Sequence, residues 1–244
     1  MSYTIQQSIN FAQTFIGFSP EAVGTGNEPA ISLANMIQNT ILNAPFTWGW
    51  NRNENSSTST VAGTQDYTIP LTDFSFLEKV TLTDPTGAVY EVQDVYNTAA
   101  LGIADASVNK RARPNSACVV MVTYGTSIKL RFMGVPDKIY LITLTYQKLP
   151  TPLSALTGAN GTWLIPDQYI DIYNNLFLAE SMALVDDARE TLYRQRGVGA
   201  LLSKAEGLTE MQKNDFLQQY WMRSGRSDLV GTIRAQQGNQ ARAV

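Results

Sequence analysis

The chain has 244 residues, 44% of them hydrophobic and only 16% charged, and a formal net charge of -3. That length can enclose a sizeable core, and the slightly acidic balance gives no global field for drawing the chain onto duplex nucleic acid. There is no histidine and a single cysteine, Cys118, which removes Ser-His and Cys-His nucleophile pairs, histidine zinc sites, an intrachain disulfide and Cys-rich metal centres.

Cys118 is expected as a small buried side chain in a strand. No basic leader with an apolar run opens the sequence, and no stretch approaches the roughly 18 apolar residues of a membrane span. The expectation is a chain assembled in the cytosol without a membrane partner.

Residues 4–16, TIQQSINFAQTFI, place Ile5, Ile9, Ala12 and Ile16 on one helical face. After a loop, Asn27, Glu28 and Pro29 read as a helix start, and Ile31, Ala34, Ile37 and Ile41 give a second stripe that ends near Asn43 and Pro45. Gly24-Thr-Gly26 begins like a dinucleotide fingerprint, but Pro29 occupies the third glycine position and no buried strand precedes it.

Next comes TWGWNRN, Thr47–Asn53. Trp48 and Trp50 lie two apart, on one face if the segment is extended, with Arg52 beside them. Such a pair can stack a sugar or a base, or it can fill the seam between the second helix and whatever follows. A subunit contact is a third role open to the same three residues.

From about residue 59 to 148 the period changes from 3.6 to 2, with about six strands punctuated by turn residues. FLEKVTLTD and AVYEVQDV flank Pro85-Thr-Gly87, a tight-turn sequence. ACVVMVTYG, SIKLRFMG and KIYLITLTYQKL continue the alternation.

Beyond Pro150 helical spacing returns. IPDQYIDIYNNLFLAESMALVDDARETLYRQR reads as one long helix with an apolar face through Tyr169, Tyr173, Leu176, Phe177 and Leu184. Thr209-Glu-Met-Gln212 fits a capping box, although Gly207 could equally be a weak point inside one helix over residues 199–222. The end, GRSDLVGTIRAQQGNQARAV, has few large apolar groups. From Arg223 onward it carries Arg223, Arg226, Arg234 and Arg242 against only Asp228, a composition that orders best against a partner.

The order helix, helix, strands, helix, helix, tail predicts an α+β fold, in which the N- and C-terminal helices form a bundle carrying an inserted antiparallel β-sandwich or barrel module. The expected divisions are N-terminal bundle helices over 1–55, the β module over 56–150, C-terminal bundle helices over 151–222, and an extended docking tail over 223–244.

No catalytic, cofactor-binding or metal-ligating set emerges, and the chain is expected not to be an enzyme. Asp186, Asp187 and Glu190 sit with Arg189 and Arg194 on what reads as a solvated helix face. A histidine-free carboxylate pair from Asp66, Asp73 or Glu91 would have to be assembled across the fold, and nothing local selects one.

TVAGTQDYTIP, DFSFLEKVTL, RARPNSACVV, IKLRFMGVPDKIYLITLTYQKLP and IPDQYIDIYNNLFLAESMALVDDARETLY occur in this order. Together they resemble the head-to-tail connector (adaptor, neck) proteins of tailed bacteriophages over most of residues 56–193. The resemblance implies a virion structural protein at the head-tail junction, forming a dodecameric ring under the portal. Its partners would be the portal protein and a downstream tail or neck protein, with genomic DNA passing through during ejection without specific binding. It further implies that the tail arginines, Arg223, Arg226, Arg234 and Arg242, dock on the portal, with packaged DNA as the other surface they could meet. Another tail or baseplate component, or a carbohydrate-binding β module, remains an alternative.

Overall fold

The computed structural model describes residues 2–17, 27–97 and 111–223. Helix α1 (Ile5–Ile16) opens with a capping box: the Gln7 amide donates to Thr4 Oγ1 (3.3 Å) and the Thr4 amide to Gln7 Oε1 (2.8 Å). It closes at Gly17 in the left-handed conformation (φ 71°), which favours glycine. Helix α2 (Ala30–Leu42) starts without the expected Asn27 side-chain cap; the Glu28 carboxylate accepts from the Ser32 amide instead, at 3.1 Å.

The long C-terminal helix expected from the sequence is two. Helix α3 (Ile170–Ala183) and helix α4 (Glu190–Lys204) are separated by a corner at which Asp186 takes φ 53° and the Asp187 carboxylate accepts from the Arg189 amide (2.9 Å). A carboxylate that satisfies the amide two residues on offers the backbone an alternative to helix, so no glycine or proline is needed for the break. Gly197 of α4 lets the pair pack closely, because a Cβ there would lie 2.8 Å from Leu176 Cδ2. Helix α5 (Glu210–Arg223) follows a turn at Gly207 and starts with the expected Thr209 and Gln212 capping box.

The apolar faces of α1 to α4 meet in one cluster that includes Ile9, Ile37, Phe46, Trp48, Phe177 and Leu201. Three polar links run through it: Trp163 Nε1 donates to Ser8 Oγ (3.0 Å), Ser8 Oγ to Asn174 Oδ1 (2.8 Å), and Asn174 Nδ2 to Tyr3 OH (3.0 Å).

Between α2 and α3 the described residues form eight strands: β1 (Arg52–Ser59), β2 (Asp66–Pro70), β3 (Phe74–Thr83), β4 (Val89–Glu91), β5 (Asp94–Tyr96), β6 (Ser116–Thr123), β7 (Ser127–Met133) and β8 (Leu141–Lys148). They make two four-stranded sheets, ordered β1-β8-β3-β4 and β2-β7-β6-β5. The inward residues of both, among them Leu82, Leu130, Phe132 and Ile142, share a second apolar cluster.

This mixed arrangement of five helices and two sheets overturns the expected helical bundle with an inserted antiparallel sandwich or barrel. Among the described residues no barrel closes, because each sheet keeps two edge strands, and β5 pairs with β6 in parallel. The helices fall short of a bundle because α5 stands off from α2 across a groove and packs on the helical core through Phe216, Leu217 and Tyr220. Strand β1 was not read in the sequence: it is an edge strand, polar on both faces, and so shows no alternation.

Candidate functional site

Two places gather the residues that the sequence singles out or leaves unexplained. The first is the segment from Phe46 to Arg52, where α2 hands over to β1. Trp48 is 2% exposed, and its indole N–H donates to the Ile41 carbonyl at 2.8 Å. Its ring lies 5.1 Å from Tyr169 and 5.9 Å from Trp50. A short 3-10 turn, Gly49–Asn51, then redirects the chain into β1. Trp50 also packs on Tyr169, and its buried Nε1 has no hydrogen-bond partner among the described residues.

Polar links carry this segment onto the first sheet. Gln147 Nε2 donates to the Trp48 carbonyl (3.1 Å) and contacts Glu78, and Asn51 Nδ2 donates to the Lys148 carbonyl (3.0 Å). Arg52 forms an ion pair with Glu78 at 2.7 Å. The structure therefore brings Trp48, Trp50 and Arg52 together with β3 and β8, and the two indoles face each other and Tyr169.

The second place is a groove of about 1130 Å³ between α2 and α5, floored by α3. Its walls carry Met36, Asn39, Asp215 and Phe216, and Glu180 and Arg194 lie at its base. Phe216 meets Phe46 edge to face at 4.7 Å, which is how α5 is held. Arg194, expected on a solvated face, is 7% exposed in its side chain and contacts both Glu180 and Glu190. Its Nη1 also donates to Tyr220 OH at 3.2 Å. Burial opposes the arginine's charge, but its hydrogen bond to Glu180, together with Tyr220 and Glu190, holds its pKa above the ordinary value. Burial raises the Tyr220 phenol, which stays neutral.

The other carboxylates weighed for chemistry are engaged structurally. Asp66 meets Arg131 at 2.6 Å and Lys129 at 2.8 Å, and the Arg131 hydrogen bond holds its pKa well below the usual carboxylate range. Asp187 is lowered to about 2, first by its hydrogen bond from Arg189. Asp73 accepts from Tyr146 OH at 2.7 Å, and Glu91 pairs with Lys79 at 3.3 Å. Among the described residues no group of three His, Cys, Asp or Glu side chains is placed to hold a metal ion. Cys118 is buried in β6 as expected, and burial pushes its thiol pKa up.

The sequence profile of the SU10 adaptor proteins matches residues 8–228, which spans both sheets, helices α2 to α5 and all but the first three residues of α1. The chain belongs to the SU10 adaptor protein family. It is a phage head-to-tail adaptor, a structural component of the virion, and its sites are to be sought among contact surfaces. No curated protein matches the adaptor. Among the described residues no helix is long and apolar enough to cross a membrane.

Of the four tail arginines in the adaptor, Arg223 is the last residue of α5, while Arg226, Arg234 and Arg242 lie outside the described residues, as does Gly24-Thr-Gly26. Sequence reasoning missed the groove. The one available signal was Phe216 at the centre of the α5 stripe, four residues before Tyr220, but its partner Phe46 lies 170 positions earlier.

Proposed function

We propose that this adaptor is a non-enzymatic connector that forms a dodecameric ring beneath the portal, joins capsid to tail and surrounds the path of DNA ejection. The family match over residues 8–228 carries this reading. In a closed ring each subunit uses two different surfaces, one toward each neighbour. The net charge of -3 suits a lining that lets DNA pass, because few phosphate contacts mean little counterion release and weak retention.

Within that role the helical parts, 1–55 and 151–222, form the ring body, the segment 56–150 projects from it, and the tail 223–244 docks on the portal through Arg223, Arg226, Arg234 and Arg242. A downstream tail or neck protein binds the opposite end. Trp48, Trp50 and Arg52 set the angle between the two cores, a role supported by the buried indole and by the Arg52 to Glu78 pair.

Electron microscopy of the purified chain, alone and mixed with the portal protein of the same phage, tests this. The expected result is a closed ring stacked coaxially on the portal, lost when Arg223, Arg226, Arg234 and Arg242 are all replaced by Glu. A chain that ignores the portal and remains a monomer at every concentration overturns it.

A further inference from the structure

The groove beside α5 has a complement on the far side of α4. Arg194 points into the base of the groove. At about 100° per residue, Leu192, Arg196 and Gly199 all fall within about 40° of the point opposite Arg194. All three are exposed, Leu192 at 48%. Phe15 of α1, 40% exposed, extends this ridge through its contact with Tyr193 at 6.0 Å.

Charge and shape match between the two sides. Arg196 lies over the Tyr193 ring at 5.2 Å, and among the described residues no carboxylate pairs with it. Asp215, on the wall of the groove, is exposed and likewise without an ion pair. The groove offers apolar Met36, 45% exposed, and Phe216; the ridge offers Leu192 and Phe15.

Gly199 adds an independent sign. Glycine weakens a helix interior, and Gly197 has a reason to be there in Leu176, whereas a Cβ on Gly199 would meet nothing within 4 Å. Nothing among the described residues calls for glycine at 199; a close neighbour at the ridge does.

We infer that the groove between α2 and α5 receives the α4 ridge of a second copy, with Arg196 against Asp215 and Leu192 against Met36 and Phe216. The two surfaces are different and lie on opposite sides of α4, so the contact is heterologous, the type that closes into a ring. This rests on the ring reading above and assigns the residues that make the ring.

The test is a charge exchange in the full-length chain, read by mass photometry and electron microscopy with and without the portal, with circular dichroism to confirm folding. Both residues are exposed, so each single variant should fold. Asp215→Lys and Arg196→Glu should each weaken self-association at least tenfold, and the double variant should return to within about threefold of wild type. Gly199→Ala should raise the melting temperature of the monomer yet weaken association.

Wild-type rings that both single variants leave unchanged overturn this contact and leave the ring reading standing. A wild-type chain that never self-associates, even on the portal, overturns both. If Asp215→Lys abolishes assembly and Arg196→Glu does not, or if the folded double variant fails to recover, the groove holds another occupant, such as the 224–244 segment, and the inference is wrong.

Discussion

In the helical core Arg194 is 7% exposed between Glu180 and Glu190, whereas on the sheets Asp66 and its partners Arg131 and Lys129 keep about a third of each side chain in solvent. Both are two-against-one clusters, yet they act differently. The helical cluster is desolvated, so it fixes α3, α4 and Tyr220 of α5 in one arrangement, and losing one member leaves charges stranded. The sheet cluster pins the pairing of β2 with β7 at little energy, because water screens it. Helix α5 is placed by the Arg194 hydrogen bond to Tyr220 together with the packing of Phe216, whereas the sheets are placed by apolar packing where they face each other.

The largest break in this comparison is at the seam between the two cores. Trp48→Ala removes a 2% exposed indole and its hydrogen bond to Ile41. It should cost about 3–5 kcal/mol in urea unfolding, the range for a buried aromatic. A sugar or base platform would instead give a stable variant that lost binding.

Next is Arg194→Met, which keeps the aliphatic bulk but removes the cation that Glu180 meets and that Glu190 shares. The expected loss is about 3 kcal/mol, at the low end for a broken buried pair because both carboxylates retain some solvent contact. Amide exchange should rise first in α5, which loses the Tyr220 contact. An unchanged melting curve would mean that the cluster is solvated and the contrast with the sheets is false.

Arg194 also shows where sequence reading ends. Position 194 on a helix bounded by acids reads as a wet ion-pair face, since charged residues are rarely buried. The packing of Gly197 on Leu176, with Val198 and Leu201 in the helical core, turns that face inward. The signals that did read correctly were local: the apolar stripe of α1, the Thr209 box, the Pro85-Thr-Gly87 turn and the buried strand position of Cys118. The break at Asp186 was hidden because the apolar period runs on across it, and the two-sheet arrangement was hidden because strand pairing joins distant residues, as in Asp66 with Arg131.

A smaller effect should follow acid. The Asp66 carboxyl is depressed from its ordinary 3.8 by Arg131. Its contribution is therefore full above the unfolded pKa and is lost as the pH falls through the folded one. Stability should decline below about pH 4. Asp66→Asn, worth about 1 kcal/mol after solvent screening, should flatten part of that decline in thermal melts between pH 2 and 5. A mutant curve parallel to the wild type would show that other carboxylates set the acid limit.

The smallest effect separates the two indoles. Trp48 Nε1 has the Ile41 carbonyl, while Trp50 Nε1 is buried with no acceptor among the described residues. Replacing either by phenylalanine removes similar volume. Trp48→Phe also strands a buried carbonyl, whereas Trp50→Phe removes an orphan donor whose burial carries a penalty of about 1–3 kcal/mol. Trp50→Phe should then lie within about 1 kcal/mol of wild type by chemical denaturation, and Trp48→Phe should be clearly less stable. If Trp50→Phe is the worse of the two, the Trp50 N–H has a partner in the assembled protein, and the seam is itself a contact surface.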